Sequence, residues 1–248
     1  MSEANRMFSF VGPRSNPVGG ACPYKCRYCW AIIQSKRFPK LQDKYSGPPT
    51  INYHAMYRRF LTQPLVFYGS MRDMFSDDVP AELLKEVLEN IDGNAAEPFF
   101  LTKNAKRYYL LRAMLPATAI LGVTVETNQY PTWKHEFSHA PVPMDRLEWL
   151  AQIRKSMRAY VSQNATNENE FMKPRTLMVS IEPSLKFDER FLAMLKRIMP
   201  DFVAIGLDNY RHHMPEPTLA ETEQLIADLE KAGIKVYRKT IRKAWDEE

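Results

Sequence analysis

Seven short β-rich runs, separated by longer amphipathic stretches, organise this sequence from end to end. The runs fall at Met7 to Val11, Pro64 to Gly69, Pro98 to Thr102, Ala119 to Glu126, Leu177 to Glu182, Phe202 to Leu207 and Ile234 to Tyr237. Helical spacing is predicted for Ala81 to Ile91, with Asp78 as N-cap and Pro80 in the first turn, and for Ala105 to Met114, Met144 to Tyr160, Asp188 to Ile198 and Thr218 to Lys231. Ala232-Gly233 supplies a stop after the last of these. Repeated βα units need crossover connections and therefore a parallel sheet. Six or seven strands predict a partial parallel (β/α)6-type TIM-like barrel; an open sheet is the alternative.

The chain of 248 residues is long enough to bury a large core, and such barrels commonly form one unit at this length. No internal repeat or compositional break marks a linker, so residues 1–248 are expected to form one domain, with a flexible loop near Ser162 to Glu170. The N-terminus lacks the apolar core of a signal peptide, and no window approaches the roughly 18 apolar residues of a spanning helix. Three cysteines within eight residues make a poor disulfide framework. A reducing, cytoplasmic location without membrane partners is the expectation. The 34 Lys and Arg exceed the 29 Asp and Glu by only five, which permits an anionic partner without requiring one.

Polar residues collect where the apolar runs stop: Gly69-Ser70 with Asp73, Thr102-Lys103, Glu126-Thr127-Asn128, Ser180-Ile181-Glu182 and Gly206 to Asn209. In a parallel barrel these positions converge on one rim, where catalytic groups sit. Alternation places Thr124, Glu126 and Asn128 on one face, the lumen near the mouth, while Val123 and Val125 take the other.

Cys22, Cys26 and Cys29 are spaced with three and then two intervening residues, after the first predicted strand. Three thiolates can ligate three irons of a 4Fe–4S cluster and leave the fourth iron open to a small molecule. A structural zinc site is closed and tetrahedral, and would need a distant fourth ligand, since no fourth cysteine exists.

This pattern, with Tyr28 in the aromatic position before the last cysteine, resembles the signature of the radical S-adenosylmethionine superfamily. Asn16-Pro-Val-Gly-Gly20, Phe67 to Phe75, Phe100 to Lys103, Gly122 to Asn128, Val179 to Pro183 and Ala204 to Asp208 resemble its small phage-associated, spore-photoproduct-lyase-like branch. The resemblance implies a 4Fe–4S cluster on Cys22, Cys26 and Cys29 and S-adenosylmethionine at the open iron. It also implies reductive cleavage to a 5′-deoxyadenosyl radical and hydrogen abstraction from a substrate, with a nucleotide or nucleic acid favoured over a small metabolite or peptide. A flavodoxin or ferredoxin is the implied reducing partner.

Residue by residue, the resemblance gives Gly69-Ser70 the turn that receives the amino group of S-adenosylmethionine, although the glutamate common in that turn is missing here. Tyr28 is assigned backbone contact with adenine. Glu126 and Asn128 are assigned to the ribose or the methionine carboxylate, and Ser180 and Glu182 to ribose. Lys103, Asp208, Asn209 and Lys239 are candidates for facing the substrate. No thiol is left over as a hydrogen-atom donor, which argues against the lyase's own repair reaction by the same route.

Three further features invite other readings. His135 to His139 matches H-E-x-x-H, but Pro131, Pro141 and Pro143 leave no room for the long helix a zinc peptidase needs, and a loop near the barrel mouth is expected. His212-His213 reads as surface loop. Within the basic C-terminal segment 234–248, Lys235 to Lys243 interleaves cations with aromatics and could hold phosphate. That run supports the alternative function: a metal-containing nucleic-acid-binding module without radical chemistry.

Overall fold

The computed structural model describes residues 8–129, 137–163 and 172–247. Seven strands form one wholly parallel sheet in the order β1 (Arg14–Ser15), β4 (Leu65–Tyr68), β5 (Glu97–Thr102), β6 (Ile120–Thr124), β7 (Thr176–Ile181), β8 (Phe202–Ile205) and β9 (Lys235–Arg238). A separate antiparallel pair, β2 (Val18–Gly19) with β3 (Thr50–Ile51), stands beside it. The helices are α1 (Trp30–Arg37), α2 (Pro39–Lys44), α3 (Tyr53–Met56), α4 (Ala81–Asp92), α5 (Ala105–Leu110), α6 (Pro143–Ser162), α7 (Glu189–Ile198) and α8 (Leu219–Lys231). The ends of the sheet, β1 and β9, do not pair, so the barrel is partial, as predicted.

Alternation along the strands separates two cores. Val66, Phe100, Leu121, Val123, Val179 and Val203 face the helices in the larger one. Leu65, Phe67, Phe99, Met178 and Ala204 face the lumen, where Phe8 and Val11 pack among them. The lumen is therefore solid at its base, as the layered interior of such barrels requires.

The strand expected at Met7 to Val11 is not formed over its described part. Residues 8–10 make a turn and the first strand is Arg14–Ser15; Met7 lies outside the described residues. Phe8 and Phe10 do mimic strand alternation, but their rings stack at 5.3 Å and plug the lumen. Phe10 reaches Phe202 at 5.1 Å and Tyr237 at 5.0 Å, and Phe8 reaches Phe99 at 5.5 Å.

The other six strands and the expected helices form within a few residues of their predicted limits, except that the helix expected over Ala105 to Met114 ends as α5 at Leu110 and is followed by a 3₁₀ turn at Arg112–Met114. Asp188 caps α7 by accepting from Arg190 N–H, and Thr218 caps α8 in a reciprocal box with Glu221. Asp78 does not cap α4: Pro80 holds that position, and both oxygens of Asp78 accept from the buried Arg72 guanidinium instead. Ser162 ends α6, and residues 164–170 of the expected loop lie outside the described residues. Among the described residues no helix is long and apolar enough to cross a membrane.

Candidate active site

The cysteines occupy the loop between β2 and α1, and backbone geometry fixes both ends of that loop. Gly20 has φ +88°, and a Cβ there would stand 2.2 Å from the Pro48 carbonyl oxygen, so only glycine fits. Gly20 N–H donates to Lys44 O at 2.9 Å and Ala21 N–H to Gly47 O at 2.9 Å. At the far end Cys29 serves as N-cap of α1. Arg72, fully buried at its side chain, ties the loop to the turn after β4 by donating to Gly19 O at 3.0 Å while its other arm is held by Asp78.

A second wall comes from residues 137–140. Arg27 N–H donates to Phe137 O and His139 N–H to Tyr24 O, each at 2.8 Å, while the Cys26 sulfur and the Ser138 hydroxyl share a hydrogen bond of 3.1 Å. Cys22, Cys26, Cys29, Tyr24 and Tyr28 pack together with Ala140. His139 thus serves through its backbone; His135 lies outside the described residues.

Tyr28 joins this loop to the barrel. Its hydroxyl donates to Glu126 Oε1, which also accepts from Lys103 Nζ at 2.8 Å, while Oε2 accepts from Arg146 at 2.8 Å. Lys103 Nζ lies 5.1 Å from the centre of the Tyr28 ring. Burial pushes the Glu126 carboxyl up, but Arg146 and Lys103 outweigh it and hold the group down at about 2. Burial, followed by the charge of Glu126, holds the Tyr28 phenol well above its ordinary range.

Asp73 is the corresponding buried carboxylate below Cys22. It accepts from Thr102 Oγ1 at 2.8 Å, Lys103 N–H at 2.7 Å and Phe75 N–H at 2.9 Å, yet burial still raises its affinity for a proton. Burial and then Asp73 push the Cys22 thiol up to about 12, and burial also raises Cys29.

The remaining predicted positions divide. Gly69, at φ +79°, makes the turn after β4, where a Cβ would lie 2.6 Å from Met74 Cγ; Ser70 donates to Asn16 Oδ1 at 3.2 Å beside it. Ser180 is buried on β7 in register with Thr124. Glu182, just past the end of β7, forms an ion pair with Lys239, just past the end of β9. Asn128 is engaged with Asp188, donating to its Oδ1 at 2.5 Å and accepting from its N–H at 3.1 Å. His212 does not behave as an unattached surface residue: its Nδ1 lies 2.7 Å from Oδ1 of the buried Asp208. In the basic C-terminal run, Arg238 pairs with Glu223 and Arg242 with Glu216. Sequence reasoning missed Arg72, Ser138 and Arg146; only the strand-end Asp73 and Lys103 left a signal, because the others reach the site from a turn, a loop and a helix through contacts to Gly19, Cys26 and Glu126 that lie 20 or more residues away.

No three Cys, His, Asp or Glu among the described residues converge on a point suited to a single metal ion. A cluster of several irons takes one thiolate per iron and needs its ligands spread around a larger group. The thiols suit such a group: they are gathered in one loop, and Cys22 and Cys29 are partly exposed. The buried Tyr24 hydroxyl among them has no partner in the described residues, a loss of about 1–3 kcal/mol that a bound group would offset.

No protein-family model matches the sequence, and no curated protein matches it. Solved structures do match. A spore photoproduct lyase mutant with bound AdoMet and dinucleoside spore photoproduct aligns with a TM-score of 0.59 over 92% of this chain and 76% of its own, at 12% identity. The lyase complexed with the dinucleoside photoproduct aligns at 0.55, over 90% of this chain and 75% of its own, also at 12% identity. Streptococcus suis SuiB bound to S-adenosylmethionine aligns at 0.50 over 92% of this chain and 50% of its own, at 9% identity. The chain has the partial-barrel fold of the radical S-adenosylmethionine enzymes, in a form similar to that of spore photoproduct lyase.

Proposed function

We propose that this protein is a radical S-adenosylmethionine enzyme acting on a nucleotide or nucleic acid. The observation that carries this reading is the seating of three clustered thiols at the mouth of a parallel barrel, latched through Tyr28 to the buried Glu126. Cys22, Cys26 and Cys29 would hold a 4Fe–4S cluster. Such a cluster, once reduced by one electron, would supply the chemistry that splits S-adenosylmethionine into methionine and a 5′-deoxyadenosyl radical.

The chain's own residues position and enclose. Gly20 and Arg72 set the course of the loop, and residues 137–140 shield Cys26 from solvent. The Gly69-Ser70 turn is pinned to Asn16 by Ser70, and Arg72 just after it holds Gly19 at the start of the cysteine loop, which suits the turn to a ligand's amino group. Lys103 and Arg146 neutralise Glu126, so the buried wall beside Tyr28 adds one net positive charge for a carboxylate or phosphate. Asp208, His212, Glu182 and Lys239 stand at the ends of later strands as the substrate-facing groups. The nucleotide preference rests on the photoproduct-bound neighbours.

The test is 5′-deoxyadenosine formation by anaerobically reconstituted protein with S-adenosylmethionine and dithionite, compared with Cys26→Ala. Product from the wild type alone, with iron and sulfide bound, is the expected result. Tightly bound zinc with no cluster after reconstitution would overturn the reading in favour of a structural metal site.

A further inference from the structure

The strongest unassigned feature is a charge imbalance in the cysteine loop and the helical hairpin that follows it. Between residues 25 and 45 the chain carries Lys25, Arg27, Lys36, Arg37, Lys40 and Lys44 against Asp43 alone, a net of +5. That equals the excess of the whole chain, so all other residues together balance to zero. Elsewhere, cations are commonly paired: Arg72 with Asp78, Arg154 with Asp201, Arg238 with Glu223, Arg242 with Glu216. Lys36, Arg37 and Lys40 have no carboxylate partner among the described residues.

The same hairpin is poorly covered. Ala31 is the one buried residue of α1, and α2 has none. Ile32 is 38% and Phe38 53% exposed, so apolar side chains stand among the cations. Helices normally derive most of their stability from a buried face, and these two bury only Ala31 between them. Exposed apolar side chains beside cations of one sign suit an interface with a partner of opposite sign.

Position selects the partner. Helix α1 starts at Trp30, immediately after Cys29, and the loop's backbone is bonded to the end of α2 through Gly20 and Lys44. Anything seated on the hairpin stands beside the thiols, of which Cys22 and Cys29 are partly exposed. We infer that the α1–α2 hairpin is the docking surface for an acidic protein electron carrier of the flavodoxin or ferredoxin type. The inference rests on the proposed radical chemistry, which needs one electron at the cysteine-bound centre per cleavage. One electron leaves the reduced carrier, which is oxidised by one unit, and the centre is reduced by one; no atom is transferred.

The test uses the full chain, reconstituted, with an acidic flavodoxin as probe. Binding is followed by quenching of the flavin fluorescence, and the triple variant Lys36→Glu/Arg37→Glu/Lys40→Glu is compared with wild type and with the triple glutamine variant. Flavodoxin affinity should fall roughly tenfold or more in the glutamate variant and less in the glutamine variant, and wild-type binding should weaken as salt is raised. Flavodoxin-driven 5′-deoxyadenosine formation should fall in parallel while dithionite-driven formation stays unchanged, which also shows that the variants fold. Equal affinity for wild type and both variants, or no flavodoxin binding to wild type, overturns the surface. So does a variant that keeps flavodoxin binding but loses binding of a single-stranded oligonucleotide, which would make the hairpin a nucleic-acid contact. Absence of dithionite-driven product from wild type would instead strike the proposed function, and the binding measurement would still decide the surface on its own.

Discussion

The Tyr28 hydroxyl donates to Glu126, a bond across 98 residues that ties the cysteine loop to the end of β6. Tyr28 lies between Cys26 and Cys29, so this bond sets the loop's height above the barrel. Lys103 and Arg146 keep the acceptor ionised, which makes the bond charge-assisted.

Tyr28→Phe removes the donor and leaves Glu126 with its two cations. The expected cost is about 1.5–3 kcal/mol, the range for a hydrogen bond to a charged group. Urea denaturation of wild type and variant measures it, and an unchanged midpoint would show that packing alone holds the loop.

Glu126→Gln strands Lys103 and Arg146 beside each other in a buried place. Breaking such a network costs about 3–5 kcal/mol, more than the loss of the tyrosine bond. The pH dependence has a definite sign. Folding depresses the Glu126 carboxyl from 4.5 to about 2, so its contribution is fully present above 4.5 and is lost as pH falls toward 2. The stability gap between wild type and Glu126→Gln should therefore narrow on acidification through that window, as followed by denaturant midpoints.

Gly20→Ala places a methyl group against the Pro48 carbonyl in a left-handed conformation. Strain of about 1–3 kcal/mol is expected, and it falls on the loop that carries the thiols. Iron retained per chain after reconstitution and desalting should drop further than the thermal midpoint does. Gly47→Ala is the control, because φ is positive there too but a Cβ would meet no atom within 4 Å.

Phe8→Ala empties the base of the lumen. Phe8 is 2% exposed and touches rings from β4 and β5, so a cost of about 3–5 kcal/mol is expected from lost burial and the cavity left behind. A loss under 1 kcal/mol would mean that Phe10 and its neighbours collapse into the space.

Much of the architecture was legible in local pattern. Six strands, the long helices and the Asp188 and Thr218 caps follow from periodicity and capping chemistry, which act over a few residues. The cysteine spacing and the polar face of Thr124 and Glu126 were legible for the same reason. Phe8 and Phe10 were misread because alternation cannot tell a paired strand from a plug that buries the same rings. Asp78 looked like a cap because nothing local reveals that Arg72 claims it. The clasp of Ser138 on Cys26, the turning of Asn128 toward Asp188 and the hold of Asp208 on His212 belong to no sequence pattern. Local periodicity determined the elements and the donor set; which buried carboxylate meets which cation was decided only when the strands curled into a partial barrel and removed the water that would otherwise have solvated each charge.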